Sequence, residues 1–306
     1  MTIRGNVDAL ATALSCSVSV PVKADTNFAG VATTTTRTDR LINLSSRGRV
    51  GEGRTLITGL VVGGSTPKRV LLRAVGPTLS GFGVTGALAN PRLQLLDAAG
   101  KVIAENDDWS GSDTITAISR VGAFGLADCA KDAALLLTLV PGAYTMQVAG
   151  VAGSGVALAE IYDASLNPNA DYQRLVNIST RGEAGAGENI LIGGFIITGN
   201  SPKKVLVRGI GPGLTAFGLT VTLADPRLRV YRSSELIGEN DNWSAVPADT
   251  AATGQAARDT GAISLAAGSK DSAVILTLLP GAYTGQVLSA DGFSTGPALV
   301  EIYELP

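Results

Sequence analysis

Asn90-Pro91-Arg92-Leu93-Gln94-Leu95-Leu96-Asp97, followed by Lys101-Val102-Ile103-Ala104-Glu105-Asn106-Asp107-Asp108-Trp109, decides the fold class. The stretch reads as a strand, a small-residue turn, a second strand and an acidic loop closed by tryptophan. It recurs as Asp225-Pro226-Arg227-Leu228-Arg229-Val230-Tyr231, then Glu235 onward to Glu239-Asn240-Asp241-Asn242-Trp243. In the first copy Leu93 and Leu95 alternate with Arg92 and Gln94, the period-2 pattern of a strand with one buried face.

Other landmarks fall into register around the two copies. Arg40-Leu41-Ile42-Asn43-Leu44 matches Arg174-Leu175-Val176-Asn177-Ile178, and Lys68–Arg73 matches Lys203–Arg208. Gly76-Pro77 with Phe82-Gly83 matches Gly211-Pro212 with Phe217-Gly218. Leu139-Val140-Pro141-Gly142-Ala143-Tyr144-Thr145 matches Leu278-Leu279-Pro280-Gly281-Ala282-Tyr283-Thr284, and Glu160-Ile161-Tyr162 matches Glu301-Ile302-Tyr303. A period of about 135 residues is too long for a solenoid unit and marks a duplicated domain. The expected architecture is all-β: two tandem β-sandwich, jelly-roll-like domains of about eight strands each, with one short helix per domain. The boundaries are 1–39 for an N-terminal extension, 40–163 for repeat 1, 164–173 for an Asn/Pro-rich linker and 174–306 for repeat 2.

Within repeat 1 the strands are expected near 40–44, 54–62, 68–75, 92–97, 101–105, 133–139, 143–149 and 156–162, separated by Gly, Pro, Asn and Asp. Ala133–Leu139 is apolar on both faces, the signature of a central strand. Lys131-Asp132 and Lys270-Asp271, just before that strand and its counterpart, read as charges that discourage misaligned pairing. Ser112–Arg120 and Asp249–Arg258 are helix-like, each opening on a residue suited to an N-cap.

Composition narrows the function. The chain has 306 residues, with 16% charged against a usual ~25%. Gly is abundant at 38, as suits tightly turned sheets. A formal net charge of −2 gives no reason to expect nucleic acid or an anionic membrane as partner. There is no histidine, which excludes a Ser-His-Asp or Cys-His nucleophile and any His-ligated metal. Two cysteines, Cys16 and Cys129, exclude a thiolate zinc site. They are read as free thiols, with a Cys16–Cys129 disulfide as the alternative. No run of 18 apolar residues exists, so no transmembrane helix is expected. Leu10–Val20, followed by Val22-Lys23-Ala24, stands between a weak signal peptide and a fragment of upstream strand or linker.

The order of strand, Asp/Asn-Pro-x-Leu, turn, strand, Glu-Asn-Asp-x-Trp, Pro-Gly-Ala-Tyr-Thr and Glu-Ile-Tyr resembles repeat modules of large secreted bacterial surface proteins. More distantly it is similar to bacterial pre-peptidase C-terminal β-sandwich domains. The resemblance covers about residues 40–306. It implies an exported, noncatalytic accessory module, secreted or at the cell surface, and no particular ligand.

Each candidate site has a competing structural reading. Arg47-Gly48-x-x-Gly51-x-Gly53 and Arg181-Gly182-x-x-Gly185-x-Gly187 look like phosphate loops, but a strand follows where a helix is needed, so they read as turns. Glu105 with Asp107, and Glu239 with Asp241, would serve a carboxylate-based glycoside hydrolase. With aromatics at only 5%, no sugar-stacking cleft is evident. Trp109 and Trp243 are candidate ligand-binding rings, or covers for the core. Glu105, Asn106, Asp107 and Asp108, with Glu239, Asn240, Asp241 and Asn242, are candidate calcium ligands, since hard cations take six to eight oxygens. The competing reading is an Asx-type turn; apart from calcium no cofactor is expected. Arg73 and Arg208 sit in apolar strands, where a charge needs a partner. Glu160 and Glu301 are the expected partners.

The expected function is noncatalytic adhesion, glycan or partner-protein binding, or spacing. The alternatives are a structural subunit that assembles through edge or donated strands, and, third, the glycosidase.

Overall fold

The computed structural model describes residues 40–51, 53–165 and 173–305. The 1–39 extension with its signal-peptide reading, most of the 164–173 linker, and Cys16 with its disulfide all lie outside the described residues. Cys129 is exposed.

Repeat 1 supplies β1 (Arg40–Val50), β2 (Leu56–Gly64), β3 (Lys68–Val75), β4 (Pro91–Leu96), β5 (Val102–Asn106), helix α1 (Ser112–Arg120), β6 (Ala133–Leu139), β7 (Gly142–Gly150) and β8 (Gly155–Asp163). Repeat 2 supplies β9 (Gln173–Ala184), β10 (Leu191–Thr198), β11 (Lys203–Ile210), β12 (Pro226–Arg232), β13 (Glu235–Asn240), helix α2 (Pro247–Thr260), β14 (Ser272–Leu278), β15 (Gly281–Ser289) and β16 (Gly296–Glu304). The fold is all-β with antiparallel strand ladders, and among the described residues each repeat has one α-helix. Short 3₁₀ turns, Pro77–Phe82 and Pro212–Phe217, follow each Gly-Pro. The helices begin without a side-chain cap, behind Gly111 and Val246 rather than on the polar residues read as N-caps. Asp113 and Asp249 in their first turns supply the negative charge that suits a helix N-terminus.

The repeats do not end where their sheets end. β1 pairs with β8 of its own repeat and with β10 of the other. β9 pairs with β16 of its own repeat and with β2 of the other. Two ladders result. One runs β5-β4-β7-β2-β9-β16-β11-β14, the other β13-β12-β15-β10-β1-β8-β3-β6. Among the described residues they touch in register only at Leu41 and Leu175, equivalent residues of the two repeats. One buried apolar cluster draws on both repeats, from Leu41 and Met146 to Phe195 and Val300. β1 runs to Val50, well past the expected end at residue 44, because Ser45–Arg47 pair on both edges.

Alternate residues of β3 face two cores. Val70, Leu72 and Ala74 face the shared core. Leu71 and Val75 face an outer cluster with Ala117 and Ile118 of α1 and Leu126. The same covering explains β6. It was expected to be central, yet among the described residues it pairs with β3 alone and ends its ladder. Its outer face is apolar because Ala134 and Leu136 lie in the cluster that α1 joins. At that corner the Asn106 side chain accepts the Ala134 N–H (2.9 Å), and Asn240 accepts that of Ala273 (3.0 Å). A ladder end that would otherwise offer free donors is thereby tied to the neighbouring hairpin.

Candidate functional site

The acidic loop after β5 is held by its own bonds. Arg92 reaches the Glu105 carboxylate at 2.7 Å and Gln94 donates to it at 2.9 Å. These donors hold the Glu105 carboxyl below its ordinary range. Asn106 bridges the corner, donating to the Asp108 carbonyl (3.0 Å) while it accepts from Ala134. In repeat 2, Arg229 takes Glu239 (3.0 Å), Arg227 lies 3.4 Å from Asp241, and Asn240 donates to the Asn242 carbonyl (3.3 Å). Asn242 itself donates to Asp241 at 3.2 Å. In each repeat the paired carboxylates are gathered around an arginine: Arg92 for Glu105 and Asp107, and Arg227 for Glu239 (3.7 Å) and Asp241 (3.4 Å). No cluster of three or more acidic, Cys or His side chains suited to a metal occurs among the described residues.

The tryptophans are packed rather than presented. Trp243 is 8% exposed and belongs to the outer cluster of repeat 2. Its indole N–H donates to the Ala266 carbonyl (3.2 Å) and to Ser269 (3.1 Å). Trp109 is half-buried and donates to Ala127 (3.3 Å).

Arg73 and Glu160 are register partners on β3 and β8. Arg73 Nε lies 3.0 Å from Glu160, which also accepts the Tyr162 hydroxyl (2.7 Å). Arg73 donates further to the Phe124 carbonyl (2.7 Å) beneath the Phe124 ring. Arg208 repeats this on β11 and β16: Nε donates to Glu301 (2.9 Å), Nη1 to the Ile263 carbonyl (2.6 Å), and Tyr303 donates to Glu301 (3.0 Å). Both arginines are fully buried. The Glu-x-Tyr spacing puts carboxylate and hydroxyl on one strand face, and the arginine ties that face to the loop after the helix. Burial pushes both tyrosines above their ordinary range. The arrangement braces the outer layer and gives no reactant access.

Asp132 and Asp271, read from sequence as strand-edge charges that discourage misaligned pairing, are fully buried. Asp132 accepts the Gly76 N–H (2.7 Å) and pairs with the Thr78 hydroxyl. Asp271 accepts from Gly211 (2.8 Å) and Gly213 (3.0 Å). Each carboxylate thus satisfies the open amides at the start of a 3₁₀ turn. The glycine is obligatory there, since a Cβ on Gly76 would lie 2.1 Å from the Leu88 carbonyl oxygen. The recurrent Gly-Pro and Lys-Asp pairs were the available signal.

The site that sequence reading missed is a groove of about 550 Å³ at the far ends of β1 and β9. Repeat 1 brings Arg47, Arg49, Arg54 and Phe82; repeat 2 brings Glu183 and Asn189. The motif that resembled a phosphate loop builds part of it. Gly51 and Arg54 exchange backbone bonds (2.9 and 3.0 Å) across a tight turn, with φ of +100° at Gly51 and +79° at Gly53. That conformation suits glycine, and it folds Arg54 back toward the strand that carries Arg47 and Arg49.

No protein-family model matches the chain, and no curated protein matches it either. Among solved structures, a DUF4785 family protein from Legionella pneumophila subsp. pneumophila str. Philadelphia 1 is similar at 9% identity and TM-score 0.23, over 88% of this chain and 84% of that one. An 11S allergen from Cocos nucifera aligns at 9% identity and TM-score 0.17, over 85% and 80%. An 11S globulin from Wrightia tinctoria aligns at 9% identity and TM-score 0.13, over 88% and 73%. No family is assigned on likenesses of this size.

Proposed function

We propose that the chain is a noncatalytic binding or spacer module of an exported or cell-surface protein, with a glycan or a partner protein as ligand. In this reading each repeat is a jelly-roll-like sandwich, and the exchanged strands β1 and β9 fuse the two into one stiff body. The observation that carries it is how the polar groups are distributed. Arg73, Glu160, Asp132 and their counterparts bond to the backbone or to one another, whereas Arg47, Arg49 and Arg54 line a groove open to solvent. A glycosidase acid needs a raised pKa, and Arg92 acts on Glu105 in the opposite sense.

The test is a glycan array and a partner-capture assay, run beside peptide, ester and glycoside turnover assays. Saturable binding without turnover is expected. Turnover abolished by Asp107→Asn or Asp241→Asn, or a complete lack of binding, would contradict the proposal. Strand exchange between repeats supports a second reading, a subunit that assembles by donating strands. Light scattering separates the two, since only the second makes mass rise with concentration.

A further inference from the structure

We propose that the groove at the ends of β1 and β9 is a subsite for an acidic glycan, a sugar chain bearing carboxylates, held by Arg47, Arg49 and Arg54. This rests on the binding-module reading and adds to it the ligand's chemistry and place.

The arginines are arranged as a set. Arg47 and Arg49 are both exposed, two residues apart on β1. They therefore project from the same face about 7 Å apart along the strand. The glycine turn brings Arg54 to the same groove. None of the three makes an ion pair among the described residues. By contrast Arg73, Arg208, Arg92 and Arg229 each hold a carboxylate. A guanidinium presents a planar fork that matches a carboxylate with two parallel bonds. Spaced forks along an open groove suit a ligand whose carboxylates recur along a chain.

The remaining lining points to sugar. Phe82 is 62% exposed, yet its ring is steadied edge-on against Phe124 at 4.8 Å. A fixed, exposed ring face can cover the apolar C–H face of a sugar. Asn189 and Glu183 offer hydrogen bonds for hydroxyl groups. Glu183 also disfavours a ligand of dense charge such as polyphosphate, because one wall of the groove is negative.

The duplication makes the groove singular. Repeat 2 carries Glu183 where repeat 1 carries Arg49, and Gly187-Glu188 where repeat 1 reads Gly53-Arg54. The equivalent face built around β9 therefore lacks the cationic set, and one acidic-glycan site per chain is expected.

Titration calorimetry with an oligogalacturonate tests this, with its fully methyl-esterified counterpart and a glutamate-rich peptide as comparators. The proteins are wild type, the triple variant Arg47→Ala/Arg49→Ala/Arg54→Ala, and Arg92→Ala as a remote exposed control. Expected is one site per chain that weakens with added salt. The triple variant should lose roughly tenfold or more in affinity at an unchanged melting temperature, and Arg92→Ala should bind as wild type. Failure of the oligogalacturonate to bind overturns the proposal. So does equal binding of the methyl ester or of the peptide, or full affinity in the triple variant. If neutral glycans or a partner protein bind while the oligogalacturonate does not, the binding-module reading survives and this inference falls. Absence of all binding removes both.

Discussion

Ser46 and Thr180 occupy the same position in the two repeats, and their hydroxyls meet 2.9 Å apart in the interior. Both side chains are buried, at 1% and 0% exposure. The contact joins β1 to β9, the two strands exchanged between repeats. Thr180→Val leaves the Ser46 hydroxyl without its donor in a dry place, which costs about 1–3 kcal/mol. Adding Ser46→Ala should recover part of that loss. Chemical denaturation of the two single variants and the double variant reads the coupling, and strict additivity would show that the hydroxyls act independently.

Glu160→Gln should be among the most destabilising single changes, at about 3–5 kcal/mol, because it strands the fully buried Arg73 guanidinium. Glu301→Gln should act alike through Arg208. Replacing Arg73 with Met and Glu160 with Leu together should restore most of the loss, since apolar groups of similar volume can stand in for such a pair. Equilibrium unfolding in urea measures all of these. A loss near zero for Glu160→Gln would mean that water reaches Arg73.

Asp132→Ala removes the acceptor for the Gly76 amide and the Thr78 hydroxyl together. A loss of about 3 kcal/mol is expected from two orphaned donors. The Thr78 hydroxyl also accepts the Ala127 N–H (2.9 Å), so the segment beneath Trp109 should loosen. A red-shifted, more quenchable Trp109 emission, read in a Trp243→Phe background, would report it.

The β15–β16 turn should resist acid. Asp291 accepts from the Ser289 and Ser294 hydroxyls and from the Phe293 (2.8 Å) and Ser294 (2.9 Å) amides. The Ser289 hydroxyl above all, then Ser294, holds its carboxyl well below the ordinary aspartate range. A depressed folded pKa means that the bonds persist in full above the ordinary value and fade only as pH falls through the depressed one. Amide exchange at Phe293 and Ser294 should therefore stay protected through the usual aspartate titration. In Asp291→Asn the protection should fall and lose its pH dependence.

A single repeat should not stand alone. Residues 40–165 produced by themselves would present β1 and β2 each with one edge unpaired, since in the chain those edges hold β10 and β9. Two copies can restore the exchange, so light scattering should give a dimer at micromolar concentration. A monomer as stable as the whole chain would mean that β1 can close on β2 within its own repeat.

The repeats, most strands and both buried ion pairs were legible because each leaves a local mark. Leu93 and Leu95 alternate with polar neighbours, and Arg73 is one charge in an apolar run that must find Glu160. The exchange left no such mark. β1 pairs with the edge that begins Leu191-Ile192, whereas the equivalent edge of its own repeat, Leu56-Ile57, pairs with β9, so near-identical sequence makes the two possible partners alike in pattern. Asp132 looked like an edge charge because the amides of Gly76 and Thr78 lie more than fifty residues away. The groove escaped for a related reason. Arg49 and Glu183 line one groove through the meeting of the two repeats.

Calorimetric unfolding of the whole chain tests most directly whether β1 and β9 fuse the repeats. With strands exchanged and one apolar cluster drawn from both repeats, neither half can melt without tearing the other. A single transition is expected, with calorimetric and van't Hoff enthalpies in agreement. Two resolved transitions, each with about half the total enthalpy, would contradict the fusion and return the chain to two beads on a string.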